Sequence, residues 1–185
     1  VTGTKAEVET IDRIFLMDLH TMIEVQPKIL RRNESFMDSR GFRIVRCIDL
    51  SEKHKKEAEI LVKNGDDEIK LLSPFDGMER DEENSFFVLG KEDDSIYGWM
   101  ICRKKYEGCV ELARFYVLSD RRKSMTGLDF GGYVLRRLER VYDRAWLKVL
   151  PENGQLLRFM RGFFGQCITE SMEKLITMTG QAFEP

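Results

Sequence analysis

The chain has 185 residues, of which 42% are hydrophobic and 34% are charged, and its formal net charge is -2. This composition is ordinary for a single globular domain, which at this length buries roughly 70% of the surface that its unfolded chain exposes. The small net charge gives no support for a nucleic-acid or membrane-surface role, and no apolar run approaches the ~20 residues of a membrane span. We therefore expect a cytoplasmic domain without nucleic-acid or membrane partners.

The cysteines and histidines give little indication of a metal site. The four cysteines form no C-x-x-C pair, and His20 and His54 have no neighbour at a ligand spacing. Cys47, Cys102 and Cys109 lie in strand-like apolar runs, where a reduced thiol packs as a small hydrophobe. This interpretation is favoured over a disulfide or metal framework, and no metal cofactor is expected.

Residues 1–40 are expected to form a helical extension to a domain at residues 41–185. One face of an amphipathic helix that ends before Pro27 is marked by Ile11, Ile14, Phe15, Leu19, Met22 and Ile23. A second short helical piece follows and breaks at Gly41. The apolar face could pack on the domain, which is the default interpretation. It could instead form a homodimer contact or belong to the tail of a preceding domain.

The next segments alternate between strand and helix signals. Residues 42–47 alternate apolar and polar side chains as a half-buried strand does. Ser51 can cap the helix that follows, and Asn64-Gly65 can end it. Residues 66–84 are acidic and irregular, with one short helix predicted around 69–72. This acidic segment could attract a cationic acceptor, although a solvated loop is favoured.

A second series of elements surrounds a basic turn. Two strands in hairpin spacing are followed by a β-rich run, a helix, a short strand, another helix and a last strand, predicted at residues 86–89, 96–102, 110–117, 128–140, 145–150, 154–161 and 171–175. The turn at Ser119–Gly127 joins a strand to a helix start, where backbone N–H groups are unpaired and the helix dipole is positive. Such a turn binds anions, above all phosphates.

The same turn resembles the acyl-CoA loop of the GNAT acetyltransferase superfamily. Val117, Ser119-Asp120 and the run Arg122–Gly127 follow the order of that loop, with Met125 in place of the usual first glycine. A second register, Thr126-x-x-Asp129-x-Gly131, would put an anionic side chain beside a pyrophosphate. The first register is preferred, and in it Asp129 is expected to point away on the helix.

Further matches extend the resemblance over residues 42–178. They are the hairpin Phe-Val-Leu-Gly … Ile-Tyr-Gly-Trp-Met, the stretch from Asn153 through a short helix to Gly-Phe-Phe, and Ser171–Leu175 as the final strand. The resemblance implies an α/β fold with a mixed, mostly antiparallel sheet flanked by helices, here with the N-terminal helical extension. It also implies acetyl-CoA as the co-substrate.

The resemblance assigns the cofactor contacts residue by residue. Strands four and five of the family splay apart, and strand four pairs with the pantetheine arm, a role that falls to Phe115, Tyr116, Val117 and Ser119. The pyrophosphate would rest on backbone N–H groups of Arg122, Lys123, Ser124, Met125, Thr126 and Gly127. Asn153 would contact CoA through its side chain.

Glu111 is the candidate general base, at the place where part of the family has a glutamate. It lies six residues before Val117, and because six is even the two side chains are expected on one face of the strand. A carboxylate on a partly buried face could have a raised pKa suited to this work. A structural glutamate paired with Arg114 or Arg103 is an equal alternative.

No general acid stands at the family's usual place. Phe159 and Met160 occupy the positions where a tyrosine is common, and Tyr116, Tyr133 and Tyr142 are the other candidates. The leading prediction is an N-acetyltransferase in which a small-molecule or peptide amine attacks acetyl-CoA directly. The alternative is a non-catalytic module that binds an acyl-CoA or a partner protein, and the chain could be half of a tandem protein.

Overall fold

A computed structural model describes the backbone of residues 8–25, 27–75, 77, 79–150, 153–164, 168–178 and 181–183. Its helices are α1 (Leu19–Val25), α2 (Pro27–Ser39), α3 (Glu52–Asn64), α4 (Asp67–Leu71), α5 (Gly127–Leu138) and α6 (Gly154–Phe164). Its strands are β1 (Val8–Asp18), β2 (Arg43–Arg46), β3 (Phe86–Leu89), β4 (Ile96–Tyr106), β5 (Cys109–Val117), β6 (Arg144–Val149), β7 (Ile168–Met178) and β8 (Gln181–Phe183). From β2 to β7 these elements confirm the order predicted from the sequence.

All eight strands belong to one sheet, in the order β2-β3-β4-β5-β6-β1-β7-β8. Every neighbouring pair is antiparallel except β5 and β6, which are parallel and are connected through α5. A parallel pair requires such a crossover, because a short turn can only reverse the chain. The mixed, mostly antiparallel sheet confirms the predicted fold class.

The prediction of an N-terminal amphipathic helix is wrong over its first half. Residues 8–18 form β1, which pairs with β6 on one edge and with β7 on the other. The predicted positions Ile11, Phe15 and Leu19 are four residues apart, an interval that suits one face of a helix and one face of a strand equally. Pairing along both edges selects the strand. Within the described residues 8–25 and 27–40, this segment therefore contributes a strand to the interior of the sheet, followed by the helices α1 and α2.

Buried side chains cover both faces of the sheet. One cluster includes residues of α1, α2, α5 and α6, and the other includes residues of α3 and α4. The close approach of α2 to α5 depends on Gly132, because a Cβ at this position would collide with the side chain of Asn33. Asn33 is buried and donates a hydrogen bond to the Leu128 carbonyl (3.2 Å). Among the described helices, none has the length and apolar character that a membrane span requires.

Candidate functional site

The central feature of the site is an opening between β5 and β6. Their parallel ladder covers only Cys109–Glu111 on β5 and Arg144–Trp146 on β6. Further along, β5 remains paired with β4, and β6 remains paired with β1. In the described residues, the ladder between the two strands does not continue beyond Glu111 and Trp146. Unpaired N–H and C=O groups along a strand edge can pair with an extended ligand.

A β-bulge lies where the opening begins. Ile101 pairs with Arg114 and the next residue of β4, Cys102, pairs with Leu112, which leaves Ala113 as an extra residue in β5. A bulge bends its strand and reverses the alternation of side chains beyond it. The expectation that Glu111 and Val117 share a face is therefore wrong. Val117 packs in the same cluster as Leu112, whereas Glu111 alternates with Leu112 and lies on the opposite face.

Glu111 lies at the closed end of this opening, because its pair with Trp146 is the last in the ladder. Its carboxylate is buried and forms a bidentate ion pair with Arg103, with one oxygen bound by Nε and the other by Nη2 (3.1 Å). The hydrogen bonds that Arg103 donates to Glu111 raise the pKa of the Arg103 guanidinium. Two arginines were predicted from the sequence as partners of Glu111, and the ion pair seen in the structure is with Arg103.

A cavity of about 650 Å³, which we call the Glu111 cavity, extends from this carboxylate. Its walls are Glu79–Glu83 and Arg103–Lys105, so part of the acidic segment lies beside the candidate base. The segment is attached to β4 by a hydrogen bond from the Asp81 N–H to the Cys102 carbonyl (2.8 Å). The carboxylates of Glu79, Glu82 and Glu83 belong to exposed residues. Arg80, Arg103, Lys104 and Lys105 line the same cavity, so its walls carry charges of both signs.

None of the three candidate tyrosines lies ready to donate a proton in this cavity. Tyr142 is buried, and its hydroxyl group donates a hydrogen bond to Asp81. Burial and this hydrogen bond both raise the pKa of Tyr142. Burial raises the pKa of Asp81, but the hydrogen bonds from Tyr142 and Asn84 outweigh it and lower the pKa overall. Tyr133 accepts a hydrogen bond from Arg137 (2.8 Å), and Tyr116 is in the core beneath α3 and α4.

The predicted acyl-CoA loop ends in a helix that caps itself. After a 3-10 turn at Ser119–Arg121, Thr126 is the N-cap of α5 and accepts a hydrogen bond from the Asp129 N–H (3.2 Å). Asp129 accepts reciprocally from the Thr126 N–H (3.1 Å) and hydroxyl (2.6 Å). The expectation that Asp129 points away is wrong. Its carboxylate occupies part of the helix N-terminus that an anion would use.

Arg122 and Lys123, the two basic residues assigned to the pyrophosphate, lie on different sides of the loop. Arg122 donates to the Val117 carbonyl (3.0 Å), approaches Glu68 (3.4 Å) and lies over the ring of Tyr116. Lys123 lines another cavity together with Ser124, Met125 and Thr126, and Met125 is buried. Gly127 begins α5 beside Phe115, whose ring would lie 3.4 Å from an added Cβ. Ser119 is exposed.

The end of the predicted signature is also helical and partly capped. The Asn153 side-chain oxygen accepts a hydrogen bond from the Leu156 N–H (3.2 Å) at the start of α6. Met160 is buried in the core, which leaves an apolar thioether where the family often has a tyrosine. The side chain of Phe159 lies outside the described residues, as does Cys167.

The remaining cysteines are buried and unbridged, as predicted for Cys47, Cys102 and Cys109. Burial raises the pKa of each thiol. No group of three or more His, Cys, Asp or Glu side chains in the described part of the chain is arranged to hold a metal ion.

Several solved structures have a similar fold. They include a GCN5-related glucosamine N-acetyltransferase region of a fungal multi-domain β-N-acetylglucosaminidase (TM-score 0.59, 9% identity, 91% of this chain and 20% of that chain). They also include L-PGS from Bacillus licheniformis (0.61, 14%, 94% and 62%) and the C-terminal domain of a putative lysylphosphatidylglycerol synthetase from Agrobacterium fabrum (0.54, 10%, 92% and 62%). No protein-family profile matches the sequence, and no curated protein matches it.

The chain has a GNAT-like fold. It spans less than two thirds of the length of each of these structures. At these identities the likeness establishes the fold alone. The sequence resemblance implies two strands that splay apart, and the opening between β5 and β6 lies at that place.

Proposed function

We propose that the protein is an N-acyltransferase that moves an acetyl group from acetyl-CoA to the amine of a small molecule or peptide. The observation that carries this proposal is the opening between β5 and β6, which closes at Glu111. The backbone of Phe115–Val117 would pair with the pantetheine arm as an added strand. The thioester would then lie towards Glu111 and the Glu111 cavity.

The reaction requires that a neutral amine attacks the thioester carbon. The C–N bond forms, the C–S bond breaks, and the amine loses one proton while the departing thiolate gains one. Glu111 accepts the proton of the amine directly or through one water molecule. Arg103 binds both oxygens of this buried carboxylate, which is also the pairing that the sequence analysis gave for a structural glutamate. Solvent reprotonates the thiolate, since Met160 has no proton to give.

A non-catalytic module of the same fold is the second candidate. It is favoured by Asp129, which bonds to the start of α5, and by Arg122, which is turned towards Val117 and Glu68. Such a module would bind an acyl-CoA or a partner protein. It could form one part of a longer protein, as expected from the greater length of the similar structures.

Turnover of acetyl-CoA with a panel of amines, measured beside acetyl-CoA binding, separates these candidates. Glu111→Gln should lower the turnover rate by about a hundredfold or more, because the amide cannot accept the proton. Its affinity for acetyl-CoA should stay within about twofold of the original, since the cofactor is held by β5 and the loop. Glu107→Gln is the matched control, because Glu107 is exposed in the turn before β5.

Equal turnover by the original protein and Glu111→Gln would remove Glu111 from the mechanism. Acetyl-CoA binding without turnover of any amine would favour the non-catalytic module. Absence of both binding and turnover would contradict the acyl-CoA assignment itself. Thermal melting of Glu111→Gln must accompany these assays, because the substitution leaves Arg103 without its anionic partner.

A further inference from the structure

A second β-bulge lies near the end of β4 and contains Lys105. Lys104 pairs with Val110 and Tyr106 pairs with Cys109, which leaves Lys105 as an extra residue without a partner in β5. A bulge changes the direction of the side chain that it carries, and bulges are frequent beside active sites. The regular alternation of β4 therefore does not determine where the Lys105 side chain lies.

The Lys105 side chain packs on the ring of Trp146. Its Nζ lies 4.0 Å from the ring centre, in a cation–π contact. Trp146 pairs with Glu111 at the last step of the β5–β6 ladder. Ala145 and Val149 belong to the cluster on the α5 side of the sheet, so Trp146, which alternates with them, lies on the other face together with Glu111. The amine is thus held on the residue that neighbours the candidate base.

The amine of Lys105 is accessible from the Glu111 cavity. Lys105 and Glu111 both line this cavity, and Lys105 is exposed. Within the described part of the chain, Lys105 has no ion-pair partner, so no carboxylate holds its ammonium group. A lysine amine is a nucleophile towards carbonyl carbon once it is neutral. The thioester of the proposed function would lie towards the same cavity.

Two neighbouring lysines share only one of these properties each. Lys104 lines the Glu111 cavity but makes no contact with the Trp146 ring. Lys148 lies 6.0 Å from the centre of that ring and is not among the described residues that line the cavity. Among the lysines that the structure describes, Lys105 is therefore the one that combines the ring contact with access to the candidate base.

We propose that Lys105 is an acetylation site and that the protein modifies it itself, with acetyl-CoA as the donor. This inference rests on the proposed function, because it requires the same donor and the same base. Acetylation replaces the ammonium group by a neutral amide and removes the cation–π contact with Trp146. The Glu111 cavity then loses one positive charge, so the modification changes the charge that an incoming acceptor meets.

The transfer balances without a further reactant. The Lys105 ammonium group first gives one proton to water. The neutral Nζ then attacks the thioester carbon, so that a C–N bond forms and the C–S bond breaks. Glu111 accepts the second proton from the nitrogen, and solvent reprotonates the CoA thiolate. The products are acetylated Lys105 and free CoA.

Mass spectrometry of the full chain after incubation with acetyl-CoA tests the site. Cleavage at glutamate residues followed by fragmentation distinguishes the adjacent Lys104 and Lys105. Acetylation of Lys105 should be at least about tenfold faster than that of Lys104 or Lys148, because donor and amine react within one complex. For the same reason its rate constant should not change with protein concentration.

Substitutions separate positioning from simple exposure. Glu111→Gln should slow acetylation of Lys105 by about a hundredfold or more. Trp146→Leu should slow it several-fold, and Trp146→Phe should restore most of the rate, since a phenyl ring also attracts the ammonium group. Lys104→Arg and Lys148→Arg are the matched controls and should leave the rate at Lys105 unchanged. Thermal melting shows whether each variant is folded.

Equal acetylation of Lys104, Lys105 and Lys148 would indicate chemical modification of exposed amines and overturn the proposal. A rate constant that rises in proportion to protein concentration would also overturn it. Turnover of free amines with Lys105 unmodified would overturn this inference and leave the proposed function intact. Acetylation of Lys105 without turnover of any free amine would support this site and limit the proposed function to a transfer within the chain. A protein that acetylates neither would contradict both.

Discussion

At the residue scale, Asp129 acts as an internal ligand for the loop. Its carboxylate holds the N–H and hydroxyl groups of Thr126, and Thr126 holds the Asp129 N–H in return. This reciprocal arrangement stabilises the start of α5 and places negative charge where a pyrophosphate would lie. Asp129 is therefore expected to increase the stability of α5 and to decrease the affinity of the loop for an anion.

Asp129→Ala should separate these two effects. Loss of the cap should lower the free energy of unfolding by about 0.5–2 kcal/mol, as measured by chemical denaturation. The same change should tighten acetyl-CoA binding, since it frees a backbone N–H and removes a like charge. Asp120→Ala, at an exposed position in the preceding turn, should change neither quantity appreciably. Weaker acetyl-CoA binding by a folded Asp129→Ala protein would show that the pyrophosphate lies elsewhere.

The sequence contains the residues of this cap, but it does not show which acceptor binds the N–H groups at the start of α5. The spacing Thr126-x-x-Asp129 is that of a capping box, and the same letters also fit a phosphate-loop register. Both patterns describe a helix N-terminus, because both use its free N–H groups. Which acceptor occupies them depends on side-chain rotamers that spacing alone does not determine. The pairing of Glu111 with Arg103 was undetermined for the same reason.

At the scale of elements, α1 contacts the residues at the end of α5 through a titratable side chain, His20. His20 lies 3.3 Å from Glu139 and 3.1 Å from Asp143, and its hydrogen bonds to Asp143 and Glu139 raise its pKa above 6.5. A histidine with a raised folded pKa stabilises the fold at pH below its unfolded value. This stabilisation is lost as the pH rises through the folded pKa.

His20→Gln should therefore be less stable than the original protein in mild acid. The difference in melting temperature should shrink as the pH rises past the folded pKa of His20, because the imidazole is then neutral in both states. The double variant Glu139→Gln, Asp143→Asn should show the same flattened pH dependence. A difference that grows with pH would contradict the assigned direction.

The strand β1 gives a second prediction at this scale. Leu16 pairs with Trp146 on one side and Thr169 on the other, so the middle of β1 has neighbours along both edges. Leu16→Pro should prevent folding or lower the melting temperature sharply, because proline lacks the N–H group and is almost never found inside a sheet. Leu16→Val keeps a strand-forming residue and is the control. A well-folded Leu16→Pro protein would show that β1 is dispensable.

Local signals predicted the order of the elements from β2 to β7, and at α3 they also predicted the boundaries. Ser51 caps α3 as expected, and the residues around Gly65 end it. β1 and the bulge at Ala113 lack such marks. The first is selected by pairing with β6 and β7, and the second by register against β4. Sequence periodicity contains neither piece of information, since both are contacts between distant segments.

At the scale of the whole molecule, the two cavities lie beside different parts of the same strand-and-loop unit. The Glu111 cavity adjoins the start of β5, and the cavity lined by Lys123 adjoins the loop that follows it. The sequence predicted the loop and the glutamate but not the cavities. Their other walls come from α2, from the acidic segment and from the β3–β4 turn, which only the fold brings near.

The position of β1 has a consequence for biosynthesis. β1 leaves the ribosome before β2–β8, but β6 and β7, which flank it, are synthesised only after β2–β5 and α5. Until then its two edges have no permanent partners, and contacts of such long sequence separation form slowly. The nascent polypeptide consequently presents an unsatisfied strand during elongation, which is a substrate for chaperones or a seed for misassembly. Final closure of the sheet must await synthesis of β7 and β8.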